Sequence, residues 1–565
     1  MLSAGSILNM QTETKNCKKC KQGFVLNSDD FSFYKKMKVP IPKVCPDCRF
    51  KMRALFRNET TLYSGRKCAL CGKNIISVYN PKSPYIIYCH ECFYSEKWEP
   101  RDYAINYDEN KSFLDQFKEL LIKVPKMTTN SSLAFGVNIR SEYINLASGC
   151  KDCYMVFNTG PAEEILYSRG VKDSRYCTDI YFGTNSERCY ENVNVHQSSG
   201  ILWGQNVNGS VDSSFVLNCR NLVNCFGCVN LNNKSYHFLN QPVSPAKYKI
   251  KINEILGDYK KTEEFKKKFE KFVLDFPMRE NNNLKSVNST GDYLVECKNT
   301  KDSFENRKGE DCRYIYSAKE VKDSIGIIGY GFKSEHLLES VATGYSSNIV
   351  GSFSSTNSSD ILYGFEINNC KDCIGCDSIK NGKYFILNKQ YEKVEYERLR
   401  EKIINELKDK DLYGLIIPPE LAPFAYNESI AQDNFPLTKK EALEEGFRWE
   451  DDIQKTEGKE TLNPEKTPNN IKDVLDSITE EILRCIDCNR NYKITIPELL
   501  FYRNMNIPIP RKCFYCRHQD RVIRRGPYKF FDRNCAKCQK NISTNYSPDR
   551  SEIIFCEKCY QQEVY

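Results

Sequence analysis

Cys485-Ile-Asp-Cys488, Cys513-Phe-Tyr-Cys516, Cys535-Ala-Lys-Cys538 and Cys556-Glu-Lys-Cys559 set the frame of this chain, because the pattern recurs at its other end. There the pairs are Cys17/Cys20, Cys45/Cys48, Cys68/Cys71 and Cys89/Cys92. The spacing from pair one to pair two is identical in both copies, as is that from pair three to pair four, while the gap between the halves differs by a single position. Flanking residues match too. Phe33-Tyr34 before Pro40-Ile41-Pro42 answers Phe501-Tyr502 before Pro508-Ile509-Pro510, and Tyr79-x-Pro81 answers Tyr546-x-Pro548. This is a duplicated module.

Two cysteines spaced by two residues in a tight turn can present both sulfurs to one metal, and a second turn completes a tetrahedron of four thiolates. The expectation is about four structural zinc ions, two per module. Disulfides are the competing reading. The start, Met1 to Met10, lacks the pattern of a secretory signal, and no apolar stretch approaches the roughly 18 residues of a membrane span. A cytoplasmic, reducing location is therefore expected, which favours thiolates on metal. Sequential pairing of the Cys pairs and cross-braced pairing both fit the spacing.

Residues 17–49, C-x2-C-x3-F…F-Y…P-x2-C-P-x-C-R, resemble the small "probable zinc-ribbon" domain, with Pro40, Cys45, Cys48 and Arg49 carrying most of the match. That domain holds only two Cys pairs, so the resemblance implies sequential pairing. The order of parts also resembles uncharacterised multi-zinc-ribbon proteins of small-genome bacteria. Neither resemblance implies an activity.

A chain of 565 residues should divide into about three to five domains. Its 40% apolar and 12% aromatic content suits a globular protein. The net charge of +8 is unevenly spread: residues 15–57 carry +9 and residues 485–529 carry +7, so the rest sums to −8. The positive charge sits on the cysteine modules.

The expected fold is mainly β. A zinc module at 1–95 leads to a helical connector at 96–148, where Phe113, Phe117, Leu120, Leu121 and Val124 fall at helical spacing before Pro125. A first β-repeat array follows at 149–243 and a Lys-rich helical segment at 244–280. A second array at 281–388 precedes a helix at 389–412. Residues 413–450 read as an extended Pro-rich segment with a short helix capped by Thr438 and Glu441, and 451–470 as a linker. A last helix at Ile471–Leu483 opens the second zinc module, 471–565. The arrays are recognised by a 12-residue step: Gly200, Asp212, Asn224, Tyr236 in one, and Asp311, Asp323, His336, Asn348, Asp360, Asp372, Tyr384 in the other, with one step of 13. A fixed short period marks stacked repeats. The expected form is a β-solenoid with one strand and one turn per row and two rows per coil, each array closed by a capping helix. Antiparallel hairpins are the runner-up.

Twelve cysteines fall outside the modules. Most recur at fixed places in the rows and read as a buried thiol ladder; the alternative is further metal at Cys370/Cys373/Cys376 or Cys225/Cys228. None of the five histidines has catalytic spacing, His90 included. Gly326-Ile-Ile-Gly329-Tyr-Gly331 lacks a Gly-Lys-Ser/Thr and reads as a turn. Asp311, Asp323, Asp360 and Asp372 read as polar corners. No nucleophile–base pair emerges.

The function expected from the sequence is non-enzymatic, with the basic modules engaging RNA or DNA. Lys43, Arg49, Lys51, Arg53 and Arg57 crowd one Cys pair, and Arg511, Lys512, Arg517, Arg521, Arg524 and Arg525 crowd its counterpart. Phe50, Phe56, Phe514 and Tyr515 are interleaved for stacking on bases. The alternative is a protein-binding scaffold with structural zinc, and an enzyme with a site in an array groove stands third. No membrane partner is expected.

Overall fold

In the first array, Cys150, Cys153, Val156, Thr159, Ala162, Ile165 and Ser168 follow one another in steps of three, and none is more than 7% exposed. Between them the backbone swings through the left-handed region: Asp152, Met155, Asn158, Glu164 and Tyr167 have φ between 50° and 55°. Each inward residue is thus followed two places on by a corner, and the chain turns every third residue. Left-handed backbone is costly for side chains branched at Cβ. No Val, Ile or Thr occupies such a position among the described residues. The computed structural model describes residues 12–131 and 136–564; Met1–Met10, the stretch without a secretory-signal pattern, lie outside them.

Four corners return the chain to its starting point, so each 12-residue row lies on the next in parallel register. Ile165 pairs with Cys177, Thr178 with Tyr190 and Cys225 with His237. In the second array Ile349 pairs with Ile361, Ile361 with Cys373 and Cys373 with Phe385. The one 13-residue step is the pairing of Val321 with Ser334. The results are an eleven-stranded and a ten-stranded sheet. Each row pairs with the very next one, and not with the next but one as two rows per coil would require. Among the described residues of the arrays, the hairpin alternative applies where each stack ends, at His237–Pro242 and Phe385–Gln390. There Asn240 clamps both backbone groups of Val229, and Asn388 clamps those of Asp377.

Inside each stack the small inward residues serve the backbone. Ser346 takes the N–H of Ser358, and Ser358 takes that of Cys370, each at 3.1 Å. Ser198 and Ser210 do likewise for Ser210 and Leu222. A hydroxyl here satisfies a buried donor that would otherwise be orphaned. The twelve remaining cysteines are all buried. Cys177, Cys312 and Cys370 send S–H bonds to the carbonyls two residues before them.

The two stacks lie side by side in opposite directions. Arg169 and Tyr181 of the first meet Glu305 of the second, while the later Asn206 meets the earlier Asn282 and Tyr293. Among the helices that flank the stacks or belong to the cysteine modules are α1 (Pro46–Ala54), α2 (Phe113–Lys123), α3 (Pro245–Ile255), α4 (Tyr259–Val273), α5 (Lys393–Asp409) and α6 (Phe514–Arg525). Helix α4 presses Phe265 onto Phe226 and Phe215 at ring distances of 4.7 and 5.0 Å. Helix α5 sets Tyr396 against Tyr384 at 5.4 Å. Thr438 and Glu441 form the expected capping box.

Two local expectations differ from what is found. Ile471–Leu483 forms only the short 3-10 turns Ile471–Asp473 and Asp476–Thr479. Its apolar residues Ile471, Val474 and Ile478 are instead drawn into the core beneath the module. The stretch 451–470 is held rather than loose: Thr461 bonds the carbonyl of Ile482, Thr456 accepts from Asn491, and Arg511 grips the carbonyl of Thr467.

Candidate metal centres and the arginine contacts that seat them

The sixteen module cysteines gather into four groups: Cys17/Cys20/Cys45/Cys48, Cys68/Cys71/Cys89/Cys92, Cys485/Cys488/Cys513/Cys516 and Cys535/Cys538/Cys556/Cys559, each with its sulfurs within 4.8 Å of one another. Pairing is sequential, as the resemblance implied. The local geometry repeats four times. The backbone N–H of the first cysteine of each opening pair bonds a carbonyl five residues on: Cys17 to Gln22, Cys68 to Lys73, Cys485 to Arg490 and Cys535 to Lys540. The residue after the second cysteine is left-handed in each case: Lys21, Gly72, Asn489 and Gln539. In the closing pairs, Cys45 and Cys513 stand at the N-caps of α1 and α6, where the helix dipole favours thiolate.

The donor set fits a metal. Four thiolates about 2.3 Å from a tetrahedral ion would stand about 3.8 Å apart. Cys20–Cys45, Cys71–Cys89, Cys488–Cys513 and Cys538–Cys556 are separated by 3.7, 3.9, 3.6 and 3.8 Å. These spacings are too long for disulfides. Backbone N–H groups of Cys45, Cys89 and Cys556 point at the sulfurs of Cys17, Cys68 and Cys535, each at 3.3 Å. Burial pushes the Cys68 thiol up, but the N–H groups of Cys89, Cys71 and Leu70 bring it down to about 6. His90 bonds Thr129 and takes no part. Among the described residues no further cluster of three metal-ligating groups forms, so neither Cys370/Cys373/Cys376 nor Cys225/Cys228 supplies one.

Six arginines around these centres turn inward. Arg49, Arg53 and Arg57 step by four along and just beyond α1, and Arg517, Arg521 and Arg525 occupy the same places on α6. A four-residue step keeps side chains on one helix face. All six are buried. Arg49 reaches Glu339 at 2.6 Å, and Arg53 binds the other oxygen of the same carboxylate. In the second module Arg517 and Arg521 share Asp179 at 2.9 and 2.8 Å. Glu339 and Asp179 stand three residues after the row-opening His336 and Tyr176, and both are left-handed corners. The glycines that read as a turn in the sequence open the space: a Cβ on Gly329 would lie 2.0 Å from Arg57 and one on Gly326 2.9 Å from Arg53. Each module thus docks on the stack belonging to the opposite half of the chain.

Between the stacks the last arginines meet. Arg57 holds Glu59 at 2.7 Å, Glu59 holds Arg169 at 2.9 Å, Arg169 holds Glu305 at 3.0 Å, and Arg525 lies 3.6 Å from Glu305. Burial would raise the Glu59 carboxyl, but Arg169 and Arg57 outweigh it and hold it at about 2.

All eleven basic residues expected to face nucleic acid have internal partners. Besides the six above, Arg511 is buried against the Thr467 and Pro468 carbonyls. Lys43 pairs with Asp411, Lys51 with Glu445, Lys512 with Asp487 and Arg524 with Glu191. Phe50, Phe56 and Phe514 are buried as well. A guanidinium enclosed against a carboxylate has no face left for a phosphate. The stepping arginines were visible in the sequence as a spacing shared by both modules; their inward direction depended on carboxylates far away in the chain, Glu339 for the first module and Asp179 for the second.

Compared with known protein families and with curated proteins, the chain matches none. No helix among the described residues is long and apolar enough to cross a membrane.

Proposed function

We propose that this chain is a non-enzymatic, cytoplasmic binding scaffold. In this reading its two stacks are β-solenoids and its ends are zinc-ribbon-type modules carrying four structural zinc ions. The observation that carries the reading is the inward turn of both arginine stripes: six arginines of the modules clasp the stacks, which leaves the outer sides of the stacks as the binding surface. A closed four-thiolate centre has no open position for a reactant, so zinc would add rigidity and no reactivity. The test combines metal analysis with recovery of partners. About four zinc equivalents per chain and co-purifying proteins that survive nuclease are expected; a far lower zinc content, or partners lost with nuclease, would refute it.

A specific observation supports nucleic-acid binding as a second reading, on a different surface. Lys260, Lys261, Lys267, Lys268 and Lys271 of α4 are exposed, and no ion pair involves them among the described residues. If they grip phosphates, retention of RNA on a filter should fall steeply with salt and vanish when Lys267 and Lys268 become Glu.

A further inference from the structure

One side of the second stack is uncovered. A groove of about 1130 Å³ runs along it, lined from Lys308 to Gln390 by successive rows. From Glu320 onward each row offers three consecutive residues, of which the middle one turns inward, as Ser346, Ser358 and Cys370 do. The outer two recur once per row. Seven rows at roughly 4.8 Å per row make a trough about 29 Å long, too long for a small metabolite and suited to a chain.

The lining differs along its length. From Tyr345 to Gln390 it contains no carboxylate among the described residues. Asn357, Asn369 and Asn381 form an amide ladder, with Asn369 donating to Asn381 at 2.7 Å, and Ser347 and Ser359 run beside it. Amides and hydroxyls that both donate and accept suit a ligand whose own groups are hydroxyls. At the head of this half Tyr345 is 46% exposed and lies nearly parallel to Phe332, with ring centroids 6.3 Å apart and planes 14° from parallel. The extra residue of the 13-residue row places Phe332 there. This gives a flat apolar shelf for one face of a sugar ring. Lys371 and Lys383, in adjacent rows, are exposed and bound to no carboxylate among the described residues. In the other half Glu310, Glu320 and Glu335 line the trough, and Glu310 is met by Lys298 at 3.2 Å and Lys322 at 3.8 Å. Mixed charge of this kind opposes a phosphate backbone lying along the whole trough.

We infer that this groove binds an extended acidic oligosaccharide, a chain of sugars in which some rings bear carboxylates. The row spacing is close to the length of one pyranose unit, so successive rings meet successive rows. One ring stacks on Tyr345, hydroxyls bond the Asn and Ser ladders, and carboxylates meet Lys371 and Lys383. The inference rests on the scaffold reading and names the ligand class of one surface. If it fails while nuclease-resistant protein partners remain, the scaffold reading stands.

The test is calorimetric titration of the full zinc-loaded chain with an oligogalacturonate of six units, a neutral cello-oligosaccharide of equal length, and oligouridylate. The acidic glycan should bind most tightly. Lys371→Ala/Lys383→Ala should weaken it about tenfold or more, as expected for lost charge-assisted contacts, and leave the neutral glycan unchanged. Asn369→Ala/Asn381→Ala should weaken both glycans. Circular dichroism and zinc content verify that the variants are folded. Absence of oligogalacturonate binding, equal affinity in the lysine variant, or tighter binding of oligouridylate overturns the inference.

Discussion

Removing the carboxylate of Glu339 tests the clasp most directly. Glu339 is fully buried and serves two buried guanidinium groups, Arg49 at 2.6 Å and Arg53 on its other oxygen. Glu339→Ala leaves two positive charges enclosed with no counter-charge. Breaking a buried pair in this way costs about 3–5 kcal/mol, far above the 0–1 kcal/mol or so of a surface pair. The cost should be nearly independent of salt, because screening acts weakly on enclosed charges. Substituting the arginines as well, Arg49→Met/Arg53→Met/Glu339→Leu, should recover most of the loss, since a packed apolar replacement removes the desolvation problem. The assay is urea unfolding followed by circular dichroism at low and high salt, with zinc content measured in parallel. The reasoning is refuted if Glu339→Ala costs less than about 1 kcal/mol, the range of an exposed pair, or if the triple variant is no more stable than the single one.

Three further outcomes are expected. Gly329→Ala should destabilise by about 1–3 kcal/mol, because φ is +74° and the new methyl would meet Arg57; a thermal melt checks it, and an unchanged midpoint refutes it. Ser358→Ala should cost about 1–3 kcal/mol by orphaning the buried N–H of Cys370, measured by urea unfolding and by faster amide exchange at Cys370. Burial raises the Glu366 carboxyl to about 7 from an ordinary 4.5, with Asp377 adding to the rise. The folded protein then holds more protons than the unfolded one between those values, so stability falls as pH rises through that window. Glu366→Gln should flatten that fall, giving a higher melting temperature than the parent above pH 7 and none of this advantage below pH 4.5; parallel curves throughout would refute it.

The metal groups were legible because their ligands are local: two turns close together in the chain specify one centre, and the duplication repeats the message. The 12-residue period was legible for the same reason, since each row repeats its corners. The shape of a row was missed because one strand and one turn per row were expected, whereas here the inward set Cys370, Cys373, Cys376, Ile379 steps by three. That step was present in the sequence; a corner at every third residue disguises it as cysteine pairs. Partnership was not legible. Whether Arg49 faces solvent or Glu339 depends on how the first module seats on the second stack, and no local pattern encodes that. The linker between 451 and 470 shows the same limit: its composition is that of a loose segment, yet Arg511 and Ile482 tie it down.

The crossed docking of modules and stacks has a consequence during synthesis. Arg49 of the first module is made early, but its seat on Glu339 lies 290 residues further on. At about 5–20 residues per second, the nascent chain waits roughly 15–60 s with Arg49 and Arg53 lacking their carboxylate. The second module meets the reverse situation, since Asp179 is already in place when Arg517 appears. Translation therefore sets an order of closure in which the C-terminal clasp can shut as soon as it is made, while the N-terminal one must be kept from wandering until the middle of the chain arrives.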